Sequence, residues 1–201
     1  MRRIVMFNRV SAEGYFAGLD GNLGWVVPDE ELDREAVAAI EGSEEGTILF
    51  GRRTYDMFEA FWPHALDGST RSPDPHRPGR ASAVMRAMAI WINEATKVVF
   101  SRTRKDAPWK NSRLLPELDP RAIEAMKREP GGDILIFGSG SIVSQLTQHG
   151  LIDEYQFTVS PMFLGDGRPL ISGMPRGVKL DLLEAKAYES GNVKLRYARP
   201  T

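Results

Sequence analysis

The apolar positions of the chain fall into short continuous runs that alternate with segments of helical spacing. Ile4 to Val10 is largely apolar with β-branched residues and reads as a buried first strand. A small, Gly-bearing loop from Ser11 to Gly24 follows, with turn chemistry at Asp20-Gly21-Asn22. From Pro28, the residues Leu32, Ala36, Val37 and Ile40 keep helical spacing behind the acids Asp29, Glu30 and Glu31. Negative charge suits a helix N-terminus, and Gly42 closes that helix. Thr47 to Phe50 predicts a strand covered on both faces, ending at Gly51, and Arg52 opens a helix carrying Tyr55, Met57 and Phe58. Between Pro63 and Gly79 lie four prolines, Pro63, Pro73, Pro75 and Pro78, and few apolar residues, which predicts a mobile surface insertion.

The alternation continues to the C-terminus. A helix with Val84, Met88, Trp91 and Ile92 leads to a strand from Lys97 to Phe100. Asp119-Pro120 caps and opens a helix to about Glu129, which Pro130-Gly131-Gly132 stops. Ile134 to Phe137 is a further apolar strand running into Gly138-Ser139-Gly140-Ser141, and the next helix, with Ile142, Val143 and Leu146, ends at Gly150. A strand from Glu154 to Val159, a Gly/Pro-rich loop to Pro175 and a hairpin around Ser190-Gly191-Asn192 complete the pattern. Strands alternating with helices predict an α/β fold with a central, mostly parallel mixed sheet and a C-terminal antiparallel hairpin. No repeat, linker or boundary divides residues 1–201, so a single domain is expected.

Composition narrows the functions open to such a fold. With 26 Lys+Arg against 27 Asp+Glu, the chain has no electrostatic reason to seek nucleic acid or an anionic membrane. It has no cysteine, which removes disulfides, thiolate metal sites and a Cys nucleophile, and His64, His76 and His149 lack zinc-site spacing, so no metal is expected. No signal-peptide core and no stretch approaching the ~20 apolar residues of a membrane span is present, which predicts a cytoplasmic protein.

Three of the expected strands end in small or basic motifs: Gly51-Arg52-Arg53-Thr54, Ser101-Arg102-Thr103 and Gly138-Ser139-Gly140-Ser141-Ile142. In an open α/β sheet, ligands bind at the carboxyl ends of strands, so all three should line one edge. The glycine turn suits a phosphate, because the backbone can approach closely and the following helix presents unpaired N–H groups. It lacks the third glycine of the dinucleotide fingerprint, since Val143 stands three residues after Gly140. Guanidinium and hydroxyl donors at Arg52, Arg53, Thr54, Ser101 and Arg102 suit an additional phosphate monoester, such as the 2′-phosphate of NADP. In the first loop, Glu13 and Asp20 are carboxylates able to hold a polar heterocycle or carry a proton. Trp25, Tyr55, Met57, Phe58 and Trp62 can wall a ring-shaped substrate, although aromatics at such spacing more often fill a core. Ser139 is not in a nucleophile elbow, and His149 reads as a helix-end imidazole. With no acid–base pair to assemble, cofactor chemistry is favoured.

Taken together, Ile4 to Gly18 with Asp20-Gly21, Leu49 to Tyr55, Val99 to Thr103 and Gly131 to Ser141 resemble the dihydrofolate reductase-like superfamily. Leu151 to Tyr155 and Pro161 to Gly167 narrow this to the branch holding the riboflavin-pathway reductase, the C-terminal domain of the bifunctional deaminase–reductase. The resemblance implies a three-layer sandwich and NADPH laid across the strand ends. Gly51, Arg52, Arg53, Thr54, Ser101 and Arg102 would lie near the adenosine phosphates, with Gly138, Ser139, Gly140, Ser141 and Ile142 under the pyrophosphate. It also implies a homodimer built through the C-terminal strands. Glu13 stands where the branch commonly has Asp, and a chain without cysteine has no deaminase zinc signature, so a stand-alone reductase domain is expected. The expected activity is NADPH-dependent hydride transfer to a C=N or C=O bond of a small pyrimidine- or pteridine-like substrate. Such an activity is similar to that of 5-amino-6-(5-phosphoribosylamino)uracil reductase. Glu13 or water would supply the proton, and Asp20, Trp25, Tyr55, Phe58 and Trp62 would meet the substrate. The alternatives are a non-catalytic nucleotide-binding sensor and a dihydrofolate reductase proper.

Overall fold

The computed structural model of the chain describes residues 1–40, 46–66 and 83–200. The first half comprises β1 (Ile4–Ser11), β2 (Tyr15–Ala17), α1 (Glu30–Ile40), β3 (Thr47–Gly51), α2 (Arg52–Phe61), α3 (Ala83–Glu94), β4 (Thr96–Phe100) and β5 (Ser112–Leu115). The second half comprises α4 (Pro120–Arg128), β6 (Ile134–Phe137), α5 (Gly140–Gln148), β7 (Glu154–Ser160), β8 (Arg168–Pro169), β9 (Asp181–Ala187) and β10 (Val193–Ala198). Eight strands form one sheet in the order β5-β4-β3-β6-β1-β7-β10-β9, and β2 pairs with β8 in a separate ribbon. The six strands from β5 to β7 run parallel, whereas β10 is antiparallel to both β7 and β9.

Strand alternation decides which helices cover which face. Ile4 and Met6 of β1, with Ile134 and Ile136 of β6, pack against Ile123 and Met126 of α4 and Ile142, Val143 and Leu146 of α5. Val5, Phe7, Leu135 and Phe137 point the other way, toward Ile40 of α1 and Met88 and Trp91 of α3. Ile48, Phe50 and Val99 continue that second face against Tyr55 of α2 and Ile92 of α3. The result is a three-layer sandwich with β3, β4 and β6 sealed on both sides, which is why Ile48 to Phe50, Val98 to Phe100 and Ile134 to Phe137 are unbroken apolar runs.

The side chain of Lys97 on β4 is fully buried. Its ammonium donates to the carbonyls of Asn93, Ala95 and Lys110 at 2.7, 2.8 and 3.1 Å, tying the end of α3 to the β4–β5 corner, while burial pulls its pKa down to about 8.

Several short elements depart from the sequence expectation. The loop after β1 contains β2, held by β8, and the stretch after Ser101 contains the edge strand β5. Pro63 and His64 belong to a short 3₁₀ turn, Trp62–His64, while Gly42 and residues 67–79 of the expected insertion lie outside the described residues. Among the described residues, no helix is long and apolar enough to cross a membrane, and no group of three or more His, Asp or Glu is placed to hold a metal ion.

Candidate functional site

Because β4, β3 and β6 are adjacent and parallel, their three carboxyl-end motifs open on one cavity of about 1520 Å³. At the strand ends it is bordered by Gly51 to Thr54, Ser101 to Thr103 and Gly138 to Ile142. Gly51 caps the ten-residue α2, and Ser139 caps the nine-residue α5. Neither helix has a side-chain cap; in α5 the Ile142 amide turns back to the Ser139 carbonyl at 2.8 Å, so the amides of Gly140 and Ser141 are the ones left toward the cavity edge. The glycine turn is braced from within: the Ser139 amide donates to Thr54 Oγ1 at 3.1 Å, and the Gly51 amide donates to Ser139 Oγ at 3.0 Å. Gly138 and Ser139 both have φ of +56°, a left-handed pair that bends the chain from strand into helix. At Gly140 a Cβ would come within 2.9 Å of the Leu170 carbonyl and 3.1 Å of the Phe16 ring, so the turn closes only on a glycine there.

The charges at this end are unevenly committed. Arg102 pairs with Glu117 at 2.7 Å, and Arg52 pairs with Asp56 at 3.0 Å. Arg53 is exposed and makes no ion pair with any described residue. The Ser101 hydroxyl is spent locally, accepting from the amides of Thr103 and Arg104 at 3.2 and 3.0 Å.

The cavity continues under α1, over the polar end of the sheet. There Arg9 of β1 stands level with Thr158 of β7, which is level with Lys194 of β10, because the register aligns them. Arg9 reaches Asp33 of α1 at 2.8 Å. Lys194 and Lys186 lie opposite each other on β10 and β9, a like-charge pair that Glu35 of α1 bridges at 2.5 Å to each. These two ammonium groups, with the Tyr188 hydroxyl, hold Glu35 down at about 2. Arg196 and Arg3 flank the buried carboxylate of Glu154 at 2.7 and 3.2 Å. Between the two ends stands an aromatic wall, with Phe7 stacked on Phe137 at 5.6 Å and Phe58 on Phe137 at 6.0 Å.

The family model for the RibD C-terminal domain matches residues 2–194. The chain belongs to that family. YyaP of Bacillus subtilis is 26% identical over 202 residues, spanning 98% of this chain and 94% of its own. A Shewanella sp. PV-4 protein named for riboflavin biosynthesis superposes with a TM-score of 0.71 at 22% identity, covering 99% of both chains. The dihydrofolate reductase of Enterococcus faecalis, solved with NADP(H), superposes with a TM-score of 0.59 at 12% identity, over 99% of this chain and 97% of its own. The fold is therefore dihydrofolate reductase-like, with the antiparallel strands at the C-terminal edge.

Within this RibD C-terminal domain, the residues singled out from sequence separate into two groups. Asp20, Phe58, Trp62 and Met57 border the cavity with the three strand-end motifs, and Asp20 Oδ1 also accepts from the Asn22 amide at 2.8 Å. Tyr55 does not border it. Its ring is fully buried beside Phe50 and Trp109, and its hydroxyl donates to Ser112 at 3.2 Å and accepts from the Trp109 amide at 3.3 Å. The helical spacing had brought it to the core rather than to a substrate wall. Trp25 is likewise absent from the lining. Glu13 is placed outside the cavity as well. Its carboxylate accepts from the amides of Leu164 and Gly165 at 2.6 and 3.1 Å, fastening the loop after β1 to the loop after β7, so it ties loops together instead of facing a substrate.

Arg9 and Asp33 escaped the sequence reading, though each leaves a trace. Arg9 continues the odd-numbered series Val5, Phe7 on β1, and Asp33 falls in step with Ala36 and Ile40 on the inward stripe of α1. Asp29, an acid noticed at the same helix, serves as its cap: Oδ1 accepts from the Leu32 amide at 2.9 Å.

Proposed function

We propose that this chain is an NADPH-dependent reductase that delivers hydride to a C=N or C=O bond of a small heterocyclic substrate. The observation that carries the reading is the convergence of two uncapped helix N-termini and the unpaired Arg53 on one strand-end edge, beside an aromatic-walled extension of the same cavity. Such an edge fits a polyphosphate: amides and a guanidinium are present, and Gly138 and Gly140 leave the backbone bare where side chains would intrude. When bound, NADPH would bring the hydride donor that the side chains of the chain lack. The amides of Gly140 and Ser141 would hold the pyrophosphate, and Arg53, with Arg52 and Arg102 nearby, would meet the 2′-phosphate.

The remaining work is positioning. Phe7, Phe58 and Phe137 exclude water and present a flat surface. The Arg9–Asp33 pair, with side chains 17% and 24% exposed, offers a donor and an acceptor to the polar edge of a ring. Asp33, rather than Glu13, would then relay a proton from solvent. The reading also includes a homodimer through β9, whose Leu182 and Leu183 are 59% and 52% exposed at the sheet edge. Light scattering on the purified protein tests that part.

Titration with NADPH and with NADH, followed by nicotinamide fluorescence, tests the reading itself. NADPH should bind at least about tenfold tighter. Arg53→Ala should weaken NADPH about tenfold while changing NADH by less than about twofold, in keeping with the loss of one charge-assisted contact. Equal losses for the two cofactors would reject the 2′-phosphate assignment.

A further inference from the structure

The α1 half of the cavity is rich in charge and carries no surplus of it. Arg3, Arg9, Lys194 and Arg196 border it, and each lies within 3.2 Å of a carboxylate oxygen, while Arg168 of β8, which lines the same cavity, is held by the Leu19 carbonyl at 2.6 Å. Their partners Asp33, Glu35 and Glu154 border the same space, and Glu184 backs both Lys194 and Arg196 at 3.1 Å. The strand-end half differs in kind, with its open first-turn amides and the unpaired Arg53. A phosphate monoester brings a charge of about −1.5 to −2 near neutral pH and needs donors not already spent on carboxylates. Under α1 it would have to displace Asp33, Glu35 or Glu154 from their partners and then remain beside them, which costs both the broken pairs and like-charge repulsion. A neutral ring with donors and acceptors on its edge meets no such obstacle. Arg9 and Thr158 can donate to it, Asp33 can accept from it, and the ring of Phe7 can support its face.

We infer that the substrate half of this site takes an uncharged heterocycle and excludes the phosphorylated form of the same ring, so that the cavity admits phosphate at its cofactor end only. The inference rests on the proposed division of the cavity into a cofactor half and a substrate half.

The test uses the full chain saturated with NADP⁺. Uridine is compared with uridine 5′-monophosphate, and 6-hydroxymethylpterin with its phosphate, by isothermal titration and thermal shift. The expected result is that the neutral member of at least one pair binds at least about tenfold tighter than its phosphorylated partner. Tighter binding of a phosphorylated member, or no binding by any of the four, overturns the inference. Failure of NADP⁺ itself to bind shows at the first step and overturns the functional reading instead. Asp33→Asn, which releases Arg9 from its carboxylate, should narrow the gap at least about threefold. Glu35→Gln, which leaves Lys194 with Glu184 as its remaining carboxylate, serves the same purpose if the first variant does not fold. An unchanged gap in a folded variant also counts against the inference.

Discussion

The two halves of the cavity are built from the same sheet and solve different electrostatic problems. At the strand ends, partial positive charge is supplied by the backbone: two helices begin there without side-chain caps, and the turn feeding α5 is held open by hydrogen bonds among Gly51, Thr54 and Ser139. Under α1 the charge is carried by side chains on four strands and a helix, and Arg3, Arg9, Lys194 and Arg196 each have a carboxylate against them. An anion is therefore welcome at one end and opposed at the other. The difference teaches that backbone dipoles can be left unsatisfied at an edge awaiting a ligand, whereas buried or half-buried side-chain charges are paired in advance because leaving them bare is costly.

The comparison breaks most severely if the strand-end turn is filled. Gly140→Val places a branched side chain against the Leu170 carbonyl and the Phe16 ring, and overpacking of this kind costs about 1–3 kcal/mol. Taken up by the first turn of α5, that strain should lower NADPH affinity roughly 10- to 100-fold, measured by fluorescence titration. Retained affinity would show that the amides of α5 do not hold the cofactor.

A smaller effect is expected from the other half. Glu35→Gln removes the bridge between Lys186 and Lys194 and should cost about 1 kcal/mol of stability by chemical denaturation, with the solvent screening of a partly exposed cluster already allowed for. NADPH affinity should stay within about twofold. The pH dependence sharpens the point. Glu35 has its pKa lowered from an ordinary 4.5 to about 2, so its contribution is complete above about pH 4.5 and is lost as the pH falls toward 2. The wild-type protein should lose stability across that interval more steeply than the Gln variant, and parallel acid titrations of the two would show the bridge to be inert.

The smallest effect belongs to Glu13. Glu13→Ala frees the amides of Leu164 and Gly165, which should exchange with solvent at least about tenfold faster while global stability falls by no more than about 1 kcal/mol. A large loss of turnover with no change in the exchange of those two amides would return Glu13 to a direct role in the chemistry.

How far this division can be read from sequence depends on how local its causes are. Ile134–Phe137 and Thr47–Phe50 are visible because strands sealed on both faces must be apolar throughout, and the motifs that follow them are contiguous in the chain. The strand β5 is less visible: it lies at an edge, begins with Ser112-Arg113, and needs only Leu114 and Leu115 to pack inward. Under α1 the causes are remote. The Arg9–Asp33 pair depends on how α1 crosses β1, and the level set by Arg9, Thr158 and Lys194 depends on the register of three strands that are not neighbours in sequence. Glu13 finds its amides 151 and 152 residues away, and nothing in the loop around it announces that partner. Tyr55 shows the same limit from the opposite direction, since its spacing along α2 is equally consistent with core and cavity until Phe50 and Trp109 close around it.

The strand-end half is proposed to hold a phosphorylated nicotinamide cofactor. Equilibrium titration of the purified chain with NADPH and NADH tests it most directly, with thermal stability followed in parallel because a ligand of the native state must raise it. Both should bind saturably, NADPH at least about tenfold tighter, with the melting temperature rising in the same order. No binding of either cofactor would contradict it, leaving the three strand-end motifs as structural turns.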